Sequence, residues 1–285
     1  MSSLKEIKGR IASVGSTLKI TSAMKMVSSA KLRKAQNAIG NMLPYQEMLS
    51  GILGGLLGED NGSLKEYSRE REVRSVALVC FASNSSLCGA FNSNAVRKAL
   101  SLASEYASAG VAVTVFSIGR KMSEAMAKAG YPSPEDYTRL SSKPSYEGAA
   151  ALGEILLGGF LEGRFDKVEF VYNHYKSASS QEVLRQTYLP FSPEGWSARD
   201  AMKDYIIEPS REALVSDLLP KVLRLKVFTV LLDTVAAEHA ARVVAMQTAT
   251  DNANSLLVSL TLEYNKSRQQ KITSEILDIV GGSMM

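Results

Sequence analysis

The chain is 285 residues long, 45% hydrophobic and 22% charged, with a net charge of +4. That length admits one domain of about 130 to 150 residues plus an elongated helical part, and the composition excludes a chain dominated by disorder. So slight a positive balance does not mark nucleic acid or a membrane surface as a partner, and the distribution of charge carries more information than its total.

The N-terminal segment places Leu4, Ile7, Ile11, Val14, Leu18, Thr21 and Met24 at spacings of three and four, the rhythm of a helix with a narrow apolar seam. The helix is expected to run toward Leu57, bent or weakened at Gly40 and Pro44, with GILGGLLGEDNGS over 51–63 as its end and a linker. The middle of the chain changes period. SVALVCFA at 75–82 and VAVTVFSI at 111–118 are short β-branched runs around a helical stretch over 90–109, which predicts a βαβ unit. KVEFVYNHY at 167–175 follows a helix-like stretch over 145–161. EVLRQTYLPF then turns back as an edge strand stopped by Pro190.

From Ser210 onward Pro220 is the one proline and Gly281 the first glycine, and apolar residues keep helical spacing. A helix of roughly 70 residues would be about 100 Å long, more than such a domain covers, so it needs a partner. The N-terminal helix is the first one available. The fold class expected is therefore α/β, with long N- and C-terminal helices forming an antiparallel coiled coil around an inserted Rossmann-like domain. The boundaries are a coiled-coil helix over 1–57, a linker over 58–74, the α/β domain over 75–208 and a coiled-coil helix over 209–285.

Surface composition adds a constraint. Over Val243–Leu262 the one charged residue is Asp251, and polar residues such as Gln247, Asn252 and Asn254 also argue against a lipid-facing span. A helix neutral nearly all round is normally enclosed, by another protein or by a second copy in a homodimer. The tip ITSEILDIVGGSMM is similarly apolar. Residues 1–34 hold Lys5, Lys8, Arg10, Lys19, Lys25, Lys31, Arg33 and Lys34 against Glu6 alone, a solvated basic face or a surface for an acidic protein loop. No aromatic residue interrupts that run before Tyr45, which argues against nucleic acid. The opening MSSLKEIKGR lacks the apolar core of a secretory signal.

Chemistry is sparse. Cys80 and Cys88 with His174 and His239 do not make a recognisable zinc or iron–sulfur set, and they fit a reduced compartment. The loop SNSSLCGAF at 83–91 opens a helix, yet it lacks GxGxxG or GxxxxGK[ST] and has Gly89 as its single glycine. Cys88 would need His174 beside it to act as a nucleophile, and a core role is the simpler expectation. Met24 and Met26 read as packing residues, and His239 beside Glu238 as an interface or surface histidine.

Two long motifs carry a family resemblance: IASVGSTLKITSAMKMVSSAKLRKAQ at 11–36 and EHAARVVAMQTATDNANSLLVSLTLEYNKSRQQKITSEILDIVGG at 238–282. With LCGAFN at 87–92 and DYIIEPS at 204–210, they resemble the F-type ATP synthase gamma subunits along the whole chain. The resemblance implies the central rotor shaft of a proton-translocating ATP synthase, non-catalytic by itself and without cofactor. It would transmit torque between a membrane c-ring and a ring of alpha and beta subunits. It further implies beta-subunit contacts at Met24, Lys25, Arg242, Arg268, Gln269, Thr273 and Glu275, and a foot at Tyr205 and Glu208 for the epsilon subunit and c-ring. Membrane attachment would come through partner subunits, at the cytoplasmic face of a bacterial cell membrane. If Met24 and Arg242 lie level in one collar, residue numbers at one level of the coil sum to about 266, and the chain after about Tyr264 projects as a single helix. Asn84 and Ser85 depart from the Asp and Arg common in the family, and the tip departs from an Ala-rich ending. The competing readings are a Rossmann-like small-molecule enzyme dimerising through helical arms, against which stands the missing phosphate loop, and a coiled-coil scaffold.

Overall fold

The computed structural model describes residues 3–56, 66–192, 207–208 and 210–283. Two helices dominate it: α1 over Leu4–Leu56 and α6 over Arg211–Ser283. At 1.5 Å per residue they are about 80 and 110 Å long. Each begins on a serine. Ser3 Oγ accepts from the Glu6 N–H at 3.2 Å and Ser210 Oγ from the Ala213 N–H at 3.2 Å, satisfying donors that a helix start leaves free.

Burial along α1 follows one heptad seam from Leu4, Ile7 and Ile11 through Thr21, Ser28, Leu32, Ala35 and Ile39 to Leu49 and Leu53. This explains why α1 is not interrupted where a bend or weakening was expected. Gly40 and Pro44 both occupy outer, exposed positions, and the carbonyl that loses its donor at Pro44 belongs to Gly40, four residues back on the solvent side. The partner is α6, running antiparallel. Its lower part, Val222–Arg242, is buried nearly all round between α1 and the α/β domain, whereas from Met246 upward burial narrows to a seam through Ala253 and Leu260.

The domain between the helices contains a four-stranded sheet of order β2-β1-β3-β4, built from β1 (Ser75–Phe81), β2 (Ala112–Ile118), β3 (Lys167–Tyr175) and β4 (Gln181–Leu189). The first three strands are mutually parallel and β4 returns antiparallel at the edge, ahead of Pro190. Side chains of β1 alternate between two cores. Ala77, Val79 and Phe81 face α5 (Tyr146–Leu161) and the base of α6, while Val76, Leu78 and Cys80 face α2 (Phe91–Ser108) and α3 (Arg120–Lys128). Two elements were not anticipated, α3 and the short α4 (Thr138–Ser142).

Gly119 starts α3 with φ at +96°, and a Cβ there would stand 2.1 Å from the Ala82 carbonyl oxygen, so glycine is required. That close approach lets the Lys121 N–H reach the Ser83 carbonyl at 3.1 Å and braces the loop after β1. Asn84 completes the brace by accepting from the Arg120 N–H at 2.8 Å and donating to the Thr138 carbonyl at 2.8 Å.

Candidate partner interface

The upper coil carries apolar side chains that the chain itself does not cover. Ile20, Met26 and Val27 on α1 and Val258 and Leu262 on α6 are each more than half exposed. Every residue from Arg268 to Val280 is exposed, because α1 has ended and α6 continues alone. The same stretch includes Ile276, Leu277 and Ile279, at 54%, 64% and 72% exposure. Apolar area on this scale marks a surface meant for another molecule.

The residues named in advance fall into separate groups. Met24 and Lys25 are half-buried on α1, with Lys25 taking the seam position of its turn. Arg268, Gln269, Thr273 and Glu275 stand exposed on the lone helix, where Thr273 Oγ1 donates to the Gln269 carbonyl at 2.9 Å and Glu275 lies 3.7 Å from Lys271. They are about 40 to 50 Å from Arg242 along the axis. Glu208 is exposed, and Tyr205 lies outside the described residues.

The expected register is corrected by the seam. Thr250 Oγ1 donates to Thr21 Oγ1 at 2.9 Å, and Ala35 packs in one cluster with Ala236, so numbers at one level sum to about 271. Nearer the base Thr229 Oγ1 donates to Gln46 Oε1 at 3.0 Å. Met24 is therefore level with Gln247, about 7 Å along α6 from Arg242, and the lone helix begins after Ser267 rather than Tyr264. The expectation had taken two positions of one partner-facing collar as level, whereas the seam is set by which small and apolar residues interlock.

Arg242 is 6% exposed and points into the molecule. One guanidinium nitrogen, Nη1, donates to Glu238 Oε1 at 2.5 Å and lies 3.4 Å from His239 Nδ1; the other, Nη2, donates to Ser85 Oγ at 2.9 Å and the Ser86 carbonyl at 3.5 Å. Ser85 and Ser86, in the loop after β1, are thus where this guanidinium holds the domain. Burial pushes the Glu238 carboxyl up, against the opposing pull of Arg242 and Lys31. His239 is driven down to about 4, first by burial and then by Arg242 and Lys31, so it is neutral near pH 7.

A second grip joins the end of β3 to both helices. Asp233 on α6 takes His174 Nδ1 on Oδ2 at 2.7 Å and the Tyr175 N–H on Oδ1 at 2.9 Å. Gln36 on α1 donates from Nε2 to the Tyr175 hydroxyl at 3.0 Å. Sequence reasoning missed Asp233, Tyr175 and Gln36, and weighed His174 as a metal ligand and as a partner for Cys88 but not as a contact to α6. Instead His174 is engaged by Asp233, while Cys88 is buried against Phe91, Ala237 and Ala241 with Asn92 Nδ2 at 3.2 Å from its sulfur. Cys80 is fully buried, which pushes its thiol far up. Among the described residues no group of three or more His, Cys, Asp or Glu is placed to hold a metal, and no helix is long and apolar enough to cross a membrane.

A family model described as ATP synthase matches residues 3–284. The chain is 54% identical over 288 positions to the ATP synthase gamma chain of Phocaeicola vulgatus, with both chains covered completely. It is 43% identical over 284 positions to the ATP synthase gamma chain of Flavobacterium johnsoniae, covering 99% of this chain and 98% of that one. Among solved structures, a chain of the central stalk and c-ring of Tetrahymena thermophila mitochondrial ATP synthase aligns with a TM-score of 0.56 at 25% identity, covering 81% of this chain and 99% of that one. A chain of the Euglena gracilis mitochondrial ATP synthase rotor aligns at 0.62 and 23% identity, covering 94% and 98%, a likeness of fold.

Proposed function

Because this chain belongs to the ATP synthase gamma family, we propose that it works as the central shaft inside a ring of alpha and beta subunits, with its α/β domain as the foot on the c-ring. The observation that carries this reading is the uncovered upper coil and lone helix, with exposed apolar side chains on both and a single charge from Val243 to Leu262, which fits a part that turns inside a sleeve. Fixed ion pairs there would favour particular angles; neutral side chains slide. The shaft is non-catalytic by itself and acts by differential contact, since its two helices present different faces to chemically identical subunits. A ten-thousandfold change in nucleotide affinity needs about 5.5 kcal/mol of such difference, within reach of a broad packed contact with a few directional bonds.

Finer assignments follow from the same reading. Met24, Lys25, Arg268, Gln269, Thr273 and Glu275 contact beta subunits, with the basic residues of 1–34 facing acidic loops. Arg242 serves that collar from inside, by fixing α6 to the loop at Ser85. Tyr205 and Glu208 belong to the foot with epsilon and the c-ring, and the membrane, at the cytoplasmic face of a bacterial cell, is reached through partners only.

The test is rotation. Both cysteines are buried, so a Ser108→Cys change at the exposed end of α2 gives a selective attachment point. In a complex assembled with the chain's own alpha and beta subunits, a bead fixed there should turn in one direction when ATP is added. A bead that stays still in a complex that hydrolyses ATP would refute the shaft reading. A native mass of two copies without other subunits would favour the homodimeric scaffold.

A further inference from the structure

Tyr175, the last residue of β3, engages both long helices at once. Its N–H bonds Asp233 of α6, its hydroxyl accepts from Gln36 of α1, and its side chain packs against two small clusters, one of Ala35, Val235 and Ala236 and the other of Cys88, Phe91, Ala237 and Ala241. Asp233 is committed with both oxygens to the same strand end, the second one holding His174. The small side chains of Ala236 and Ala237 leave room for the half-buried Tyr175 against α6. Nine residues along α6, Arg242 holds the loop after β1, about 13 Å up the axis and, at 100° per residue, about half a turn round the helix.

This geometry decides what the contact resists. A grip on one helix at one azimuth is a pivot about which a coil rolls. A grip on two helices whose axes lie about 8 to 10 Å apart has a lever arm, so a torque resolves into opposed tangential forces on Gln36 and Asp233. Apolar packing resists compression but slides under shear, whereas hydrogen bonds to a carboxylate and a carboxamide are directional and resist it. We propose that the end of β3, through His174 and Tyr175 acting on Asp233 and Gln36, is the torsional joint that passes torque between the α/β domain and both helices of the coil. The inference rests on the shaft reading above. Its residues position the helices and take no part in nucleotide chemistry.

The experiment uses the bead at Ser108→Cys on the assembled complex and reads the angular variance during pauses between steps, which is inversely proportional to torsional stiffness. If the β3 grip supplies about half of the torsional stiffness between the domain and the coil, the rest coming from packing of the helices on the domain, Tyr175→Phe with Asp233→Asn should broaden the variance about twofold. The stepping rate of a small, weakly loaded bead should stay unchanged. Tyr175→Phe alone, which keeps the ring and loses only the bond from Gln36, should broaden it less. Should the double variant fail to assemble, the single one decides: a wider distribution supports the joint and an unchanged one overturns it. A role confined to folding lowers the unfolding midpoint and leaves the variance unchanged, and that result also overturns the proposal. Failure of the parent complex to rotate at all would instead strike the shaft reading.

Discussion

Thr21 of α1 and Thr250 of α6 meet hydroxyl to hydroxyl at 2.9 Å across the coil. They are polar residues in an apolar seam: Thr21 donates to the Leu18 carbonyl of its own helix at 3.1 Å and accepts from Thr250, a bond that forms in one alignment of the helices. With the packing of Ala35 and Ala236 below them, the two threonines mark which residues of α6 stand level with α1.

That alignment gives the first prediction. Cysteines at Thr21 and Thr250 should join on mild oxidation much faster than cysteines at Thr21 and Met246, one turn away, although Met246 is also buried in the seam. The two native cysteines are buried and should not interfere. Equal rates, or a faster second pair, would return the coil to the register in which Met24 lies level with Arg242.

The contrast between register and topology shows what a single sequence carries. The long helices, the βαβ order and the returning edge strand were legible because each leaves a period, and Leu4 through Leu18 or Ser75 through Ala82 declare theirs within a few turns or residues. The register was not legible, since Ala35, Ala236 and the two threonines look alike at neighbouring turns until both helices are in place. The domain joint was hidden for a related reason. Asp233, His174, Tyr175 and Gln36 come from three distant segments and no spacing connects them. The setting of Arg242 was not legible either, because nothing in the helical pattern marks the burial that Glu238 one turn below and Ser85 on the domain give it.

Removing one member of that buried pair should destabilise the chain more than removing both. Arg242→Leu leaves the Glu238 carboxylate buried and Ser85 without its donor, a loss on the order of 3 kcal/mol, whereas Arg242→Leu with Glu238→Leu replaces the pair with packing and should recover much of it. Urea unfolding midpoints of the purified chains make the comparison. A single variant as stable as the parent would show that the pair contributes nothing to holding α6 on the domain.

His239 makes a pH prediction. Its folded value is depressed to about 4 from an ordinary 6.5, chiefly by burial. The unfolded chain therefore takes up a proton that the folded chain refuses. Stability from this site is fully present above pH 6.5 and is lost as pH falls toward 4, a swing on the order of 3 kcal/mol at most. His239→Gln cannot titrate and should lose distinctly less stability between pH 7 and pH 4.5 than the parent does. Parallel losses in the two chains would mean that the imidazole reaches water and is not held neutral.

The last prediction concerns the lone helix, where Arg268 and Gln269 are exposed and Gln269 and Thr273 sit on adjacent turns of one side. Thr273 spends its hydroxyl proton on the Gln269 carbonyl, which leaves its oxygen to accept, while the Arg268 guanidinium and Gln269 carboxamide still have donors to offer a partner. Such donors against a carboxylate form directional bonds that a smooth apolar sleeve lacks, made at some rotor angles and broken at others. Leucine at both positions keeps helix propensity and adds apolar surface while removing those bonds. The double change should therefore lower ATP synthesis and ATP-driven ion pumping, measured per assembled complex, more than it lowers the amount of complex in the membrane. If membranes with a normal complement of the double variant synthesise and pump at the parent rate, these side chains are solvated surface and angular bias must come from packing along the coil below them.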